Sequence, residues 1–273
     1  MHTRTLALVG ATGGAGTTRT AVELAALGAR DGHDVAVVDA AFTTQGLSEY
    51  VSGRIGTDLT TLVTDETDAS LSAAAYPIAV GDGGAGGAGD DGDDGDAPNL
   101  SGRADLIPSR APFERVARAK TAEAARKLER RIDEAASAYD AVVVDAAPVG
   151  SNEAVAAVTT ADRTAAVFPA TTHGRDALQR LRGRVADVGA GLDRSIAVAR
   201  GADGGSDTER EDESESDADV VLPSTDPAVA SAPTAAAENG SYARSVAAAF
   251  EDAFDATVGV EFEEPGVIDR LRP

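Results

Sequence analysis

Seven short runs along the chain are largely apolar and do not alternate: TLALV (5–9), VAVVD (35–39), ADLIP (104–108), AVVVD (141–145), TAAVFP (164–169), SIAVA (195–199) and VVLP (220–223). A strand with one wet face alternates apolar and polar residues, whereas a strand covered on both faces has no polar side to show, so these runs predict strands of a parallel sheet. Helical spacing fills the stretches between them, at 18–30, 121–138, 151–160, 174–189 and 242–255. In 121–138, Ala125, Leu128, Ile132 and Ala135 fall on one face, while Glu123 with Lys127 and Arg130 with Glu134 form i,i+4 pairs on the other. Alternating β and α elements predict an α/β fold. Its sheet is doubly wound and mostly parallel, with helices on both faces in a three-layer sandwich and a ligand crevice at the carboxyl ends of the strands.

Two segments break this pattern. Residues 81–98 hold eight glycines and six aspartates, and residues 201–219 carry nine acidic side chains against one arginine. Neither can bury enough apolar surface to offset the entropy of ordering, so both are expected as disordered insertions in a single domain spanning 1–273. Neither has the D-x-[DN]-x-[DN]-G register with a closing glutamate that a calcium loop needs.

Charge narrows the function classes. There are 46 acidic residues against 24 basic ones, a net charge of −22, and the only lysines are Lys120 and Lys127. Such a field repels phosphate polymers, so direct DNA binding is not expected. Excess carboxylate with almost no lysine suits an acidic, halophilic protein kept soluble in a high-salt cytoplasm. The absence of cysteine removes disulfides and thiolate metal sites. No signal-peptide pattern, no apolar run of membrane-spanning length and no basic amphipathic C-terminal helix is found, so the expected location is cytoplasmic and off the membrane. The sequons at Asn99 and Asn239 are then idle.

Candidate chemistry is concentrated in VGATGGAGTTRT (9–20). The segment follows an apolar strand and opens a helix, which brings backbone N–H groups and a helix N-terminus onto one anion-sized space. Gly13, Gly14 and Gly16 leave the backbone free to curl, and Thr18 supplies a hydroxyl, but Thr17 stands where a G-x-x-x-x-G-K-[ST] loop places its lysine. A tight β-to-α turn without a ligand is the plain alternative. The three histidines are not at metal-ligand spacing; His33 is expected to be exposed in the DGHDV turn and His173 to lie near the crevice edge. No G-x-S-x-G elbow supports a serine hydrolase.

Several segments together resemble the ParA/MinD family of P-loop ATPases, the deviant Walker A branch of the SIMIBI class. GGAGTTRTAVELAALGARDGHDVAVVDA (13–40) is similar to that family's loop, first helix and second strand, and YDAVVVDAAP (139–148) to its Walker B strand. TADRTAAVFPATTHGRDALQRL (160–181) is similar to the next strand and helix, and VLPSTDPAVASAP (221–233) with the final helix to the C-terminal segment. The resemblance implies ATP and Mg²⁺ as cofactors, Thr18 and Asp145 on the magnesium side, and Asp39 and Arg200 among the cofactor-binding residues.

The departures from the family are concentrated at the chemistry. Where the family loop reads K-G-G-x-G-K-T, with one lysine reaching across a dimer and the other binding β- and γ-phosphates, this chain has Thr12 and Thr17. The D-x-D of the second strand becomes Asp39, Ala40 and Ala41, the γ-phosphate-sensing glycine becomes Val149 with Gly150 one step late, and the adenine-recognising Asn becomes Ala199 beside Arg200. Phosphoryl transfer depends on positioned cations and an oriented nucleophile. The resemblance with these losses therefore implies a degenerate, pseudo-ATPase member with no catalytic residue assigned and weak or absent ATP hydrolysis. Its expected role is that of a nucleotide-binding regulatory or positioning partner, as a homodimer or as a heterodimer with an active relative. Arg19 or Arg175 standing in for lysine keeps open an active ATP-dependent dimerisation switch. A third reading is a structural interaction protein whose acidic loops meet basic partners.

Overall fold

Every one of the apolar runs forms a strand in the computed structural model, which describes residues 4–65, 68–79, 100–199 and 218–262. The strands are β1 (Thr5–Gly10), β2 (Asp34–Asp39), a two-residue β3 (Tyr76–Pro77), β4 (Arg103–Ile107), β5 (Ala141–Ala146), β6 (Arg163–Pro169), β7 (Arg194–Val198) and β8 (Val220–Leu222). They build an eight-stranded sheet in the order β3-β4-β2-β5-β1-β6-β7-β8. All neighbours are parallel except β3 on β4. The fold expected from the sequence is the one found.

The helices are α1 (Thr17–Arg30), α2 (Leu59–Thr64), α3 (Phe113–Ala119), α4 (Ala122–Ala138), α5 (Asn152–Thr160), α6 (Thr172–Asp187), α7 (Thr234–Ala237) and α8 (Ser241–Phe254). Successive side chains of a strand point to opposite faces. In β1, Leu6 and Leu8 pack with residues of α1, α7 and α8, while Ala7 and Val9 pack with residues of α2 to α6. Both faces are thus covered, which is why the strand runs contain so few polar residues. The α1 and α8 layers press close: a Cβ on Gly28 would lie 2.8 Å from both Phe250 and Val35.

Differences from the sequence reading have local causes. α6 starts at Thr172 rather than 174 because the Thr171 hydroxyl accepts the Gly174 N–H at 3.1 Å and caps the helix earlier. α2 has a β-branched, non-periodic sequence and was not legible; Asp58 caps it by accepting the Thr61 N–H, and Leu59, Leu62 and Val63 are buried. His33, expected to be exposed, is partly covered and stacks on Phe250 at 6.1 Å between ring centroids. The insertion at 81–98 lies outside the described residues, as does 201–219 except for its last two positions. One of these, Asp219, is not part of a disordered loop: its carboxylate accepts from the Ser195 N–H and hydroxyl, both at 2.8 Å, and leads the chain into β8.

Candidate functional site

The crevice is built where β1, β2 and β5 end. Beyond Gly10 the chain turns through residues 11–16 into α1, with Gly14 at φ 69° and Gly16 at φ 91°. Both angles lie in the left-handed region, where a side chain is strained, so glycine is required there. A Cβ on Gly13 or Gly14 would meet nothing within 4 Å, which leaves open space in front of the loop. The first turn of α1 has no acidic residue and no side-chain cap, so no side chain of that turn neutralises the positive end of the helix dipole beside the loop. These are the features of an anion cradle. Thr17 does not reach outward as a lysine would: its Oγ1 lies by the base of the loop, 2.7 Å from where a Cβ on Gly10 would sit.

Two carboxylates stand beside the cradle. Asp39 and Asp145 are register partners at the carboxyl ends of the parallel pair β2 and β5, and both are buried. Thr18 Oγ1 donates to Asp145 Oδ2 at 2.6 Å and so joins the loop helix to the acid. Asp39 braces two loops, accepting the Ala41 N–H at 3.0 Å and the Ser109 N–H at 3.1 Å, while the Ser109 hydroxyl donates to the Asp39 carbonyl. Burial pushes Asp39 well above the usual carboxylate range, and the neighbouring Asp145 charge pushes it further. Burial also raises Asp145, to about 6, against the lowering effect of the Thr18 hydroxyl.

These shifts carry a stability prediction. A carboxyl whose folded value is raised holds its proton longer in the folded state than in the unfolded chain. For Asp145 the contribution is therefore greatest below the unfolded value of 3.8 and is lost as pH rises through about 6. In urea unfolding of the ligand-free protein at constant salt, Asp145→Asn should gain stability relative to the parent as pH climbs through that window. Parallel pH profiles for the two proteins would remove the acid pair as the source.

The Asp145 carboxylate and the Thr18 hydroxyl are both hard oxygen donors, which fits Mg²⁺ and not a thiolate-preferring ion. Among the described residues no group of three or more His, Cys, Asp or Glu could hold a metal ion.

Next to the cradle is a pocket of about 370 Å³, framed by Gly14 and Gly16 on one side and by Val198, Leu222, Pro223 and Tyr242 on the other. Ala199 also lines it; Arg200 lies outside the described residues. Two larger grooves, of about 690 and 680 Å³, lie elsewhere, beside α4 and between α5 and α6. In the first, Arg131 pairs with Glu134 at 2.6 Å and Lys127 with Glu123 at 3.8 Å.

The two arginines offered in place of lysine are placed differently from that expectation. Arg19 turns from the loop toward the C-terminal segment, donating from Nε to Glu23 at 2.6 Å and from Nη2 to Thr234 Oγ1 at 2.8 Å. Arg175 donates to Thr172 Oγ1 within the first turn of α6. Sequence reasoning gave Lys120 no role, although its rarity was a signal. The ammonium donates to Thr43 Oγ1 at 2.9 Å and pairs with buried Glu153 at 3.4 Å, bridging the loop after Asp39 to the helix after Asp145.

No family model and no curated protein matches the chain. Its fold, however, is shared with solved structures over most of its length. The cell division ATPase MinD of Pyrococcus furiosus is 17% identical with a TM-score of 0.65, covering 91% of this chain and 97% of that one. A ParA family ATPase from Chlorobium tepidum is 23% identical with a TM-score of 0.60, covering 83% and 87%. An ATP complex of an McdA variant from Cyanothece is 17% identical with a TM-score of 0.63, covering 95% and 99%. At these identities the likeness is one of fold. None of the described helices is long and apolar enough to cross a membrane.

Proposed function

We propose that this chain is a nucleotide-binding P-loop protein of the ParA/MinD kind in which ATP hydrolysis is weak or lost. It acts as a regulatory or positioning partner, paired with a second copy or with an active relative. The observation that carries the reading is the contact of Thr18 Oγ1 with Asp145 Oδ2 at 2.6 Å beside an open glycine cradle, while threonines occupy both lysine positions of the loop. The phosphate-shaped part is kept and the cationic part is replaced.

In this reading the glycine loop and the start of α1 bind the phosphates, and the 370 Å³ pocket takes the nucleoside. Thr18 and Asp145 would hold Mg²⁺, with Asp39 bracing the loops around them. The ion, when bound, supplies neutralisation of charge on the phosphate oxygens. Ala40 and Ala41 have no group able to orient a water, so attack on the γ-phosphate is unassisted from the β2 side. ATP in the McdA complex of similar fold supports ATP as the nucleotide class.

Titration with a fluorescent ATP analogue at high salt tests this. The expected result is saturable, Mg²⁺-dependent binding below about 1 mM, equivalent to about −4 kcal/mol or tighter, with no phosphate release above background. No binding at millimolar ATP would overturn the nucleotide reading. Turnover that disappears in Thr18→Ala would overturn the loss of hydrolysis and favour the active ATPase reading.

A further inference from the structure

The geometry points to Arg19 and Glu23 as a positioning pair that holds the outer wall of the nucleoside pocket against α1; this rests on the nucleotide-binding reading above. Glu23 is fully buried on the second turn of α1. An isolated carboxylate there would be costly, so its partners decide its role. Oε1 accepts Arg19 Nε at 2.6 Å and the Thr234 N–H at 2.9 Å, and Oε2 accepts the Ala235 N–H at 2.7 Å. Arg19 in turn donates from Nη1 to the carbonyls of Asp226 and Ala228 at 3.1 and 3.3 Å, and from Nη2 to Thr234 Oγ1. Two side chains on one helix thus grip both ends of the segment 226–235.

That segment is continuous with the pocket wall, since Pro223, Thr225 and Pro227 line the same cavity as Gly14 and Gly16. Residue 19 directly follows Thr18, whose hydroxyl is joined to Asp145. One helical turn is therefore tied to the acid on the phosphate side and to the wall on the nucleoside side. A pair needed only for folding would affect every ligand of the cradle alike. A pair that places the wall would affect the base and sugar and leave the phosphates alone.

The test compares ATP with inorganic tripolyphosphate, which has the phosphates and no nucleoside, in the presence of Mg²⁺ at constant salt. Arg19→Met and Glu23→Gln should weaken ATP about tenfold or more, the scale of a charge-assisted bond lost, with tripolyphosphate held within about twofold. Arg19→Lys, which keeps the charge but not the fork of donors, should recover part of the difference, and retained tripolyphosphate binding reports that each variant is folded. If the margin between ATP and tripolyphosphate is unchanged in the variants, or both ligands weaken together, the pair has no role in placing the nucleoside, and the nucleotide reading stands. If the parent protein binds neither ligand, the nucleotide reading falls and the inference falls with it.

Discussion

Thr17→Lys should tighten Mg²⁺–nucleotide binding by about ten- to a hundredfold. Position 17 is the first residue of α1, directly after the left-handed Gly16, and its side chain starts at the base of the cradle, from where a longer one can extend toward the anion space. A threonine there adds no charge to the positive end of the helix dipole. A lysine adds a charge-assisted contact to phosphate worth about 1.5–3 kcal/mol, and each 1.4 kcal/mol is about a factor of ten in affinity. Thr17→Met, with a stem of similar length and no charge, separates the ammonium from simple bulk and should leave affinity within about twofold. Calorimetric titration at two salt concentrations checks the result, since the gain from lysine should shrink as screening increases. The same variant should gain little turnover, because Ala40 and Ala41 still offer no side chain to orient a water. Equal affinities for Thr17→Lys and the parent would mean that phosphate does not enter the cradle.

Gly174→Ala should destabilise the protein by about 3 kcal/mol or more, a large effect for one methyl group. Gly174 lies in the first turn of α6, where the helix crosses the end of β6. A Cβ there would stand 2.0 Å from the Pro169 carbonyl oxygen and 3.0 Å from its carbon. Both obstacles are backbone atoms of a strand, which cannot swing aside as a side-chain tip can, so the helix itself must move. The Thr171 cap on the Gly174 N–H resists that movement. The expected fall in Tm is about 6–12 °C. Gly183→Ala, in the same helix with nothing within 4 Å of the new methyl, should do the opposite and stabilise by up to about 1 kcal/mol. Thermal unfolding of both variants in high salt measures the contrast. Similar Tm values for the two would show that α6 is free to slide on the sheet.

The sheet was legible because its information is local. A strand covered on both faces must be apolar at consecutive positions, and β1, β2, β5 and β6 are. α4 was legible for a related reason, with Leu128, Ile132 and Ala135 repeating at helical spacing and buried as that spacing requires. The glycine loop was legible from composition and from its place between a strand and a helix. The short helices α2, α3 and α7 were not, because four to seven residues span too few helical turns to show a period, nor was the two-residue β3.

The sequence by itself therefore determined the layers, the strand runs, the position of the cradle and the absence of lysine from it. These follow from side-chain type and spacing along a few consecutive residues. Only the tertiary structure decided where the long side chains go. Arg19 could reach outward to a phosphate or backward to Glu23, and the choice was made by carbonyls and a hydroxyl 207 to 215 residues away. Asp39 and Asp145 become a pair only because β2 and β5 lie side by side in register. Such contacts are set by where the chain returns in space, and no local pattern in the sequence encodes that distance.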